Sequence, residues 1–314
     1  MREYLELRVN ESHAGLIFDR NEGKQLSDHI RKITIATSDP RMSAIRDIRR
    51  SLSKAGESLF YGWSISREYE QHEIEQAELF QLLMQAYFEP PGEDCGTIYD
   101  DSVACQYVFH EGVPNVAGTD IHLVDSCGAG FRQLSELFVD FSRIPKSADI
   151  ACSIANEVVV SEQLASALLE SALTGFELKP AHDWNTEVKR TLRVENRVRR
   201  KHRQQWRQFV ITAPVVSIGS ETKVGIDPFD LDPNGQYRCP LGHVVGLNLL
   251  SELVVLGSGY DGRDVFCTKE LFGVRRGLLR PRPAILIRPK FFEFLREHDA
   301  KGYRVEVAHF SEGN

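Results

Sequence analysis

VVVSEQLASALLESALTGFELKPAH occupies residues 158–182, and ILIRPKFFEFLREHDAKGYRVEVAH occupies residues 285–309. The two align without a gap, 127 residues apart, with Leu168 on Leu295, Gly175 on Gly302 and His182 on His309. Each begins with three aliphatic residues, the mark of a buried strand. Each then carries apolar residues at helical spacing, a glycine stop and a second strand whose apolar residues alternate. The reading is a strand–helix–strand unit used twice, 157–180 and 284–310. It predicts a mixed α+β fold of two related halves, divided near residue 183 into 1–183 and 184–314. A period this long with two copies is not that of a solenoid.

The segments between the units add to this picture. The stripe Ile45, Ile48, Leu52 before Gly56 predicts a helix over 41–56. Short apolar runs predict strands at Tyr4–Val9, Leu16–Phe18, Phe60–Ile65 and Leu137–Phe141. Residues 70–78 and the basic segment 184–208 read as helices, and 209–218 and 265–272 as strands. Residues 91–130 are rich in glycine, proline and aspartate and read as loop.

Composition bounds the function. The net charge of −7 and pI near 5.8 argue against a bulk binder of nucleic acid or of anionic membrane. No apolar run reaches the roughly 18 residues of a membrane span, and MREYLELRVNES carries charges where a signal peptide needs an apolar core. Six scattered cysteines without such a signal point to reduced thiols and a cytoplasmic location.

Four constellations could carry chemistry. Cys95, Cys105, His122 and Cys127 lie within one loop and offer the thiolate and imidazole ligands of a tetrahedral zinc site, although no intact C-x-x-C is present. Cys239 and His243, four apart after a turn, form a weaker metal pair that Cys267 could join. In the basic segment, nine positive residues from Lys189 to Arg207 face one acid, Glu195. Arg193, Arg197 and Arg200 share a helical face with Arg203 nearby, suited to an acidic protein surface, to nucleic acid phosphates or to plain solvation. His182 and His309 end the matching strands, as a proton-transfer pair or as satisfied structural histidines. G-x-S-x-G, H-E-x-x-H and Walker signatures are absent, and Gly257-Ser258-Gly259 reads as a turn, so no catalytic residue is assigned.

Over residues 80–314 several stretches resemble one bacterial family: FEPPGEDCGTIYD (88–100), CGAGFRQLSELFVDFSRIPKSADIA (127–151), the unit at 158–180, YRCPLGHVVGLNLLSE (237–252) and GLLRPRPAILIRPKF (277–291). The pattern is similar to the double-CxxCG proteins of myxobacteria and to immunity-type proteins encoded beside polymorphic toxins. Here Val124 stands where the first motif has its leading cysteine, and the second reads Cys239-Pro-Leu-Gly242-His243, without its trailing cysteine. The resemblance implies a cytoplasmic protein that binds and neutralises a cognate toxin without turnover. The alternatives are a zinc-containing protein associated with nucleic acid, and an enzyme centred on His182 and His309 or on Cys239 and His243.

Overall fold

The structure, a computed structural model, describes residues 1–107, 127, 129–185, 205–231, 241, 243, 248–272 and 281–311. It is a mixed α+β fold in which the described residues form two large sheets, of six and five strands, a small one of four, and two minor ones of three and two.

Residues 1–68 build the small sheet. Its strands are β1 (Arg2–Asn10), β2 (Lys24–Ser27), β3 (Ile30–Ala36) and β4 (Phe60–Glu68), in the order β2-β3-β1-β4. The alternation in β1 buries Leu5, Leu7 and Val9 on one face. Ile45 of the main helix, α2 (Met42–Lys54), joins them, with Ile48 and Leu52 alongside. The strand expected at Leu16–Phe18 is instead a turn. Asn10 Oδ1 accepts from Ser12 N at 3.2 Å and caps a short helix, α1 (Glu11–Ala14). The chain then drops Phe18 into the core.

After α3 (Gln71–Gln76) come β5 (Leu79–Met84), β6 (Tyr87–Phe88), β7 (Tyr99–Asp100), β8 (Arg132–Gln133), β9 (Leu137–Val139) and β10 (Ile150–Ser153). The first unit follows as β11 (Val158–Ser161), α4 (Glu162–Glu170) and β12 (Phe176–Asp183). Beyond it lie β13 (Trp206–Ile211), β14 (Val224–Asp227), β15 (Asp230–Leu231), β16 (Asn248–Leu249), β17 (Leu253–Val255) and β18 (Val265–Phe272). The second unit is β19 (Arg282–Ile287), α5 (Pro289–Glu297) and β20 (Tyr303–Phe310). Both segments are therefore strand–helix–strand. Ser161 caps α4, its Oγ accepting from Leu164 N at 3.3 Å. Pro289 opens α5, where its missing N–H costs nothing. Leu164 and Leu168 of α4 and Phe291 and Leu295 of α5 meet in one central core.

The divide expected near residue 183 does not separate the large sheets, because each takes a strand from across it. One sheet runs β6-β10-β11-β13-β12-β9, and the other β17-β20-β5-β19-β18. Thus β13 lies between the two strands of the first unit, and β5 between those of the second. The same hydrogen bonds recur around each. Thr212 N donates to Gly175 O at 2.9 Å, as Gln85 N does to Gly302 O at 2.8 Å. Asp264 Oδ2 accepts from Thr174 N at 2.8 Å, as Asp149 Oδ2 does from Lys301 N at 3.1 Å. In each sheet the unit's last strand pairs in parallel with a short strand, β12 with β9 and β20 with β17.

Gly175 and Gly302 sit where the two halves touch, with φ of +103° and +102°. A Cβ on Gly175 would stand 2.0 Å from the carbonyl oxygen of Val265, and one on Gly302 would stand 2.0 Å from that of Ile150. Each glycine admits a strand of the opposite sheet to its backbone.

The small sheet is tied to the larger body through Arg67. Its guanidinium reaches Glu306 Oε2 at 2.5 Å, Glu3 Oε2 at 2.7 Å and the carbonyl of Leu250 at 3.1 Å. No helix among the described residues is long and apolar enough to cross a membrane.

Candidate metal centre

The segments on either side of residues 108–126 are pinned together by backbone. Cys105 N donates to Ala129 O at 2.7 Å and Cys127 N to Tyr107 O at 2.9 Å, a short antiparallel pairing. This brings the two thiols to one place. Around them lie Ala129, Tyr107 and Leu271 of β18.

His243 comes to the same place from the other half. The Cys105 and Cys127 sulfurs and an imidazole nitrogen of His243 all lie within 4.8 Å of one another. Cys127 Sγ stands 3.4 Å from His243 Nδ1. With Zn–S of about 2.3 Å and Zn–N of about 2.0–2.1 Å, a tetrahedron has an S···N edge of about 3.6 Å. The observed separation matches that edge, and is also that of a thiol–imidazole hydrogen bond. Cys127 is buried; Cys105 and His243 are half-buried. Burial, followed by the nearby Lys269 charge, pushes the His243 imidazole below its ordinary value. That favours the neutral ring, the form that donates a lone pair to a metal. Two thiols and an imidazole form a donor set that suits zinc.

The expected ligand set is thereby divided. Cys105 and Cys127 belong to the group, and His243, assigned above to the weaker pair, joins them. Cys95 is not a member. It ends a 3-10 turn at Gly92–Cys95, and burial pushes its thiol up to about 11, with Asp140 close by. Cys267 is likewise outside the group, its thiol raised by burial to about 11. His122 and Cys239 lie outside the described residues, as do Arg193, Arg197, Arg200 and Arg203.

His182 and His309 each bind a carboxylate of their own sheet. His182 Nε2 pairs with Glu136 Oε2 at 2.6 Å, and His309 Nε2 with Glu252 Oε2 at 3.0 Å. Each pair sits beside the parallel pairing of its strand, β12 with β9 and β20 with β17.

A second sequence correspondence carries a signal of the metal group. LSELFV (134–139) and LSELVV (250–255) match 116 residues apart, and the same spacing sets Cys127 against His243. The two ligands therefore hold like positions ahead of β9 and β17.

No family model matches the chain, and no curated protein matches it.

Proposed function

We propose that the protein is a cytoplasmic, zinc-stapled binding protein of the toxin-immunity type, which acts by stoichiometric association with a protein partner. The observation that carries the zinc is the convergence of Cys105, Cys127 and His243 from two distant parts of the chain. Cys239, four residues before His243, is the candidate fourth ligand. A Cys₃His set would close the coordination sphere, as structural zinc requires and catalytic zinc does not. The recurring hydrogen bonds around β5 and β13 support a scaffold of two copies of one unit. The partner role rests on the resemblance over residues 80–314 and on the basic segment, whose charge on an acidic chain favours an acidic protein surface.

The test has two arms. Protein purified without chelator should contain one zinc per chain, and the Cys105→Ser variant none. The reading requires a secreted toxin encoded beside this gene; co-expression with that toxin should restore growth to a sensitive host, and the two should copurify as a complex. Zinc-free wild-type protein would remove the metal centre. Unrestored growth with no complex, or affinity for DNA or RNA in place of the protein, would remove the immunity role.

A further inference from the structure

A cavity of about 610 Å³ opens among β4, β5, β13, β18 and β19. Its volume is that of a small-molecule site. The walls are largely apolar and aromatic, with Trp63 and Ile65 from β4, Phe209 from β13, and Leu271 and Phe272 from β18. Leu271 also packs against the Cys105–Cys127 pair, so the metal centre backs one wall.

Charge in the cavity is unevenly compensated. Arg67, Arg282 and Arg304 line it, as do Glu157 and Glu306. Glu306 is already held by two of the arginines, Arg67 at 2.5 Å and Arg304 at 3.2 Å. Glu157 is enclosed by the Tyr99 hydroxyl at 2.5 Å and the backbone N–H of Gly92 at 3.0 Å, with the Ser153 hydroxyl on its other oxygen. Arg282 differs. Its Nη1 donates to the neutral Tyr87 hydroxyl at 2.7 Å, and its guanidinium lies 5.6 Å from that ring. Among the described residues it has no carboxylate within 4.0 Å. Its charge reaches inward to the buried Cys152, which shares the lining.

We infer that this cavity binds a small organic anion with an aromatic body, its carboxylate or sulfonate on Arg282 and its rings among Trp63, Phe209 and Phe272. The guanidinium fork suits a planar or trigonal anion, and the aromatic walls supply the burial. The site uses neither the metal ligands nor the basic segment, so it stands whether or not the immunity role does.

The experiment titrates the intact protein with 1-anilinonaphthalene-8-sulfonate, and in parallel with the uncharged N-phenyl-1-naphthylamine, following probe fluorescence. Wild-type protein should bind each saturably at one site. Arg282→Ala, at an exposed position, should weaken the sulfonate about tenfold or more, the worth of a charged hydrogen bond, and leave the neutral probe unaffected. Arg282→Lys should recover part of the loss. Val210→Trp, which fills the cavity from β13, should weaken both probes while circular dichroism stays native. If that variant does not fold, the arginine pair decides alone. No saturable binding by the wild type, or equal sulfonate affinity in wild type and Arg282→Ala, overturns the inference.

Discussion

Cys127 and His243 hold matching places ahead of two like strands and meet with 3.4 Å between sulfur and Nδ1. One ligand comes from each half, so an ion held there joins segments 116 residues apart. Closing so long a loop removes much of the unfolded chain's freedom. Cys127→Ala and His243→Ala should each lose zinc by elemental analysis and lower Tm by several degrees, and chelator should lower the wild-type Tm as far. His243→Cys should keep the zinc, because it restores the residue found at the matching position. Loss of zinc in that variant alone would show that the imidazole is specifically required.

Gly175→Ala and Gly302→Ala should destabilise more than an exposed glycine change. Each must take a positive φ and push a methyl group against a backbone carbonyl 2.0 Å away. Strain of this kind costs of order 1–3 kcal/mol before the displaced strand is counted. Gly56→Ala, with positive φ and open space, isolates the φ cost. Urea midpoints no lower for Gly302→Ala than for Gly56→Ala would mean that the close approach relaxes freely.

The His309–Glu252 pair gives stability a dependence on pH. The hydrogen bond to Glu252 raises the His309 pKa above its ordinary 6.5. Burial opposes the Glu252 carboxylate, but the bond from His309 and the nearby Arg67 charge outweigh it and hold its pKa below 4.5. A raised histidine contributes fully below 6.5 and loses its contribution as pH rises through the raised value. A lowered carboxylate contributes above 4.5 and loses its share as pH falls. The pair therefore helps most between about 4.5 and 6.5. His309→Gln should flatten the fall of Tm from pH 6 to 8, and a fall as steep as that of the wild type would assign it to other groups.

Reversing Arg193, Arg197 and Arg200 to glutamate should slow association with the protein partner and reduce its dependence on salt, without changing Tm. Arg203→Glu added to these should slow it further. Stopped-flow rates at two ionic strengths would show this, and an unchanged rate would remove these arginines from the interface.

Local order was legible in the chain and long-range pairing was not. The units at 158–182 and 285–309 announced themselves because helix and strand periodicities are short-range properties of side chains. The stripe through Ile45, Ile48 and Leu52 likewise placed α2 within two residues at each end. Leu16–Phe18 misled because three apolar residues carry no period, and the cap at Asn10 decided the turn. Nothing local in Leu79–Met84 says that it pairs with strands more than 200 residues later. In the metal group, Cys105 and Cys127 share a loop and were grouped, whereas His243 is joined to them only by the fold. The LSELFV and LSELVV pair held that information as a spacing.

The crossing of β5 and β13 bears on how the chain is made. As it leaves the ribosome, β5 emerges long before β19 and β20, the strands that flank it. Its buried Leu79, Phe80 and Leu82 must wait, unpaired, for almost the whole remaining synthesis. The first unit waits as well, since the gap between β11 and β12 stays open until Trp206–Ile211 arrives. The six-stranded sheet has all its strands once Trp206–Ile211 is made, whereas the five-stranded sheet waits for the second unit. Residues 1–68, whose four strands pair only with one another, are the part able to form first; the six-stranded sheet can follow, and the five-stranded sheet comes last. A stop codon placed just before the second unit would leave the six-stranded sheet its full set of strands but β5 without β19 and β20, so truncation should expose Leu79, Phe80 and Leu82 and drive the chain to aggregate.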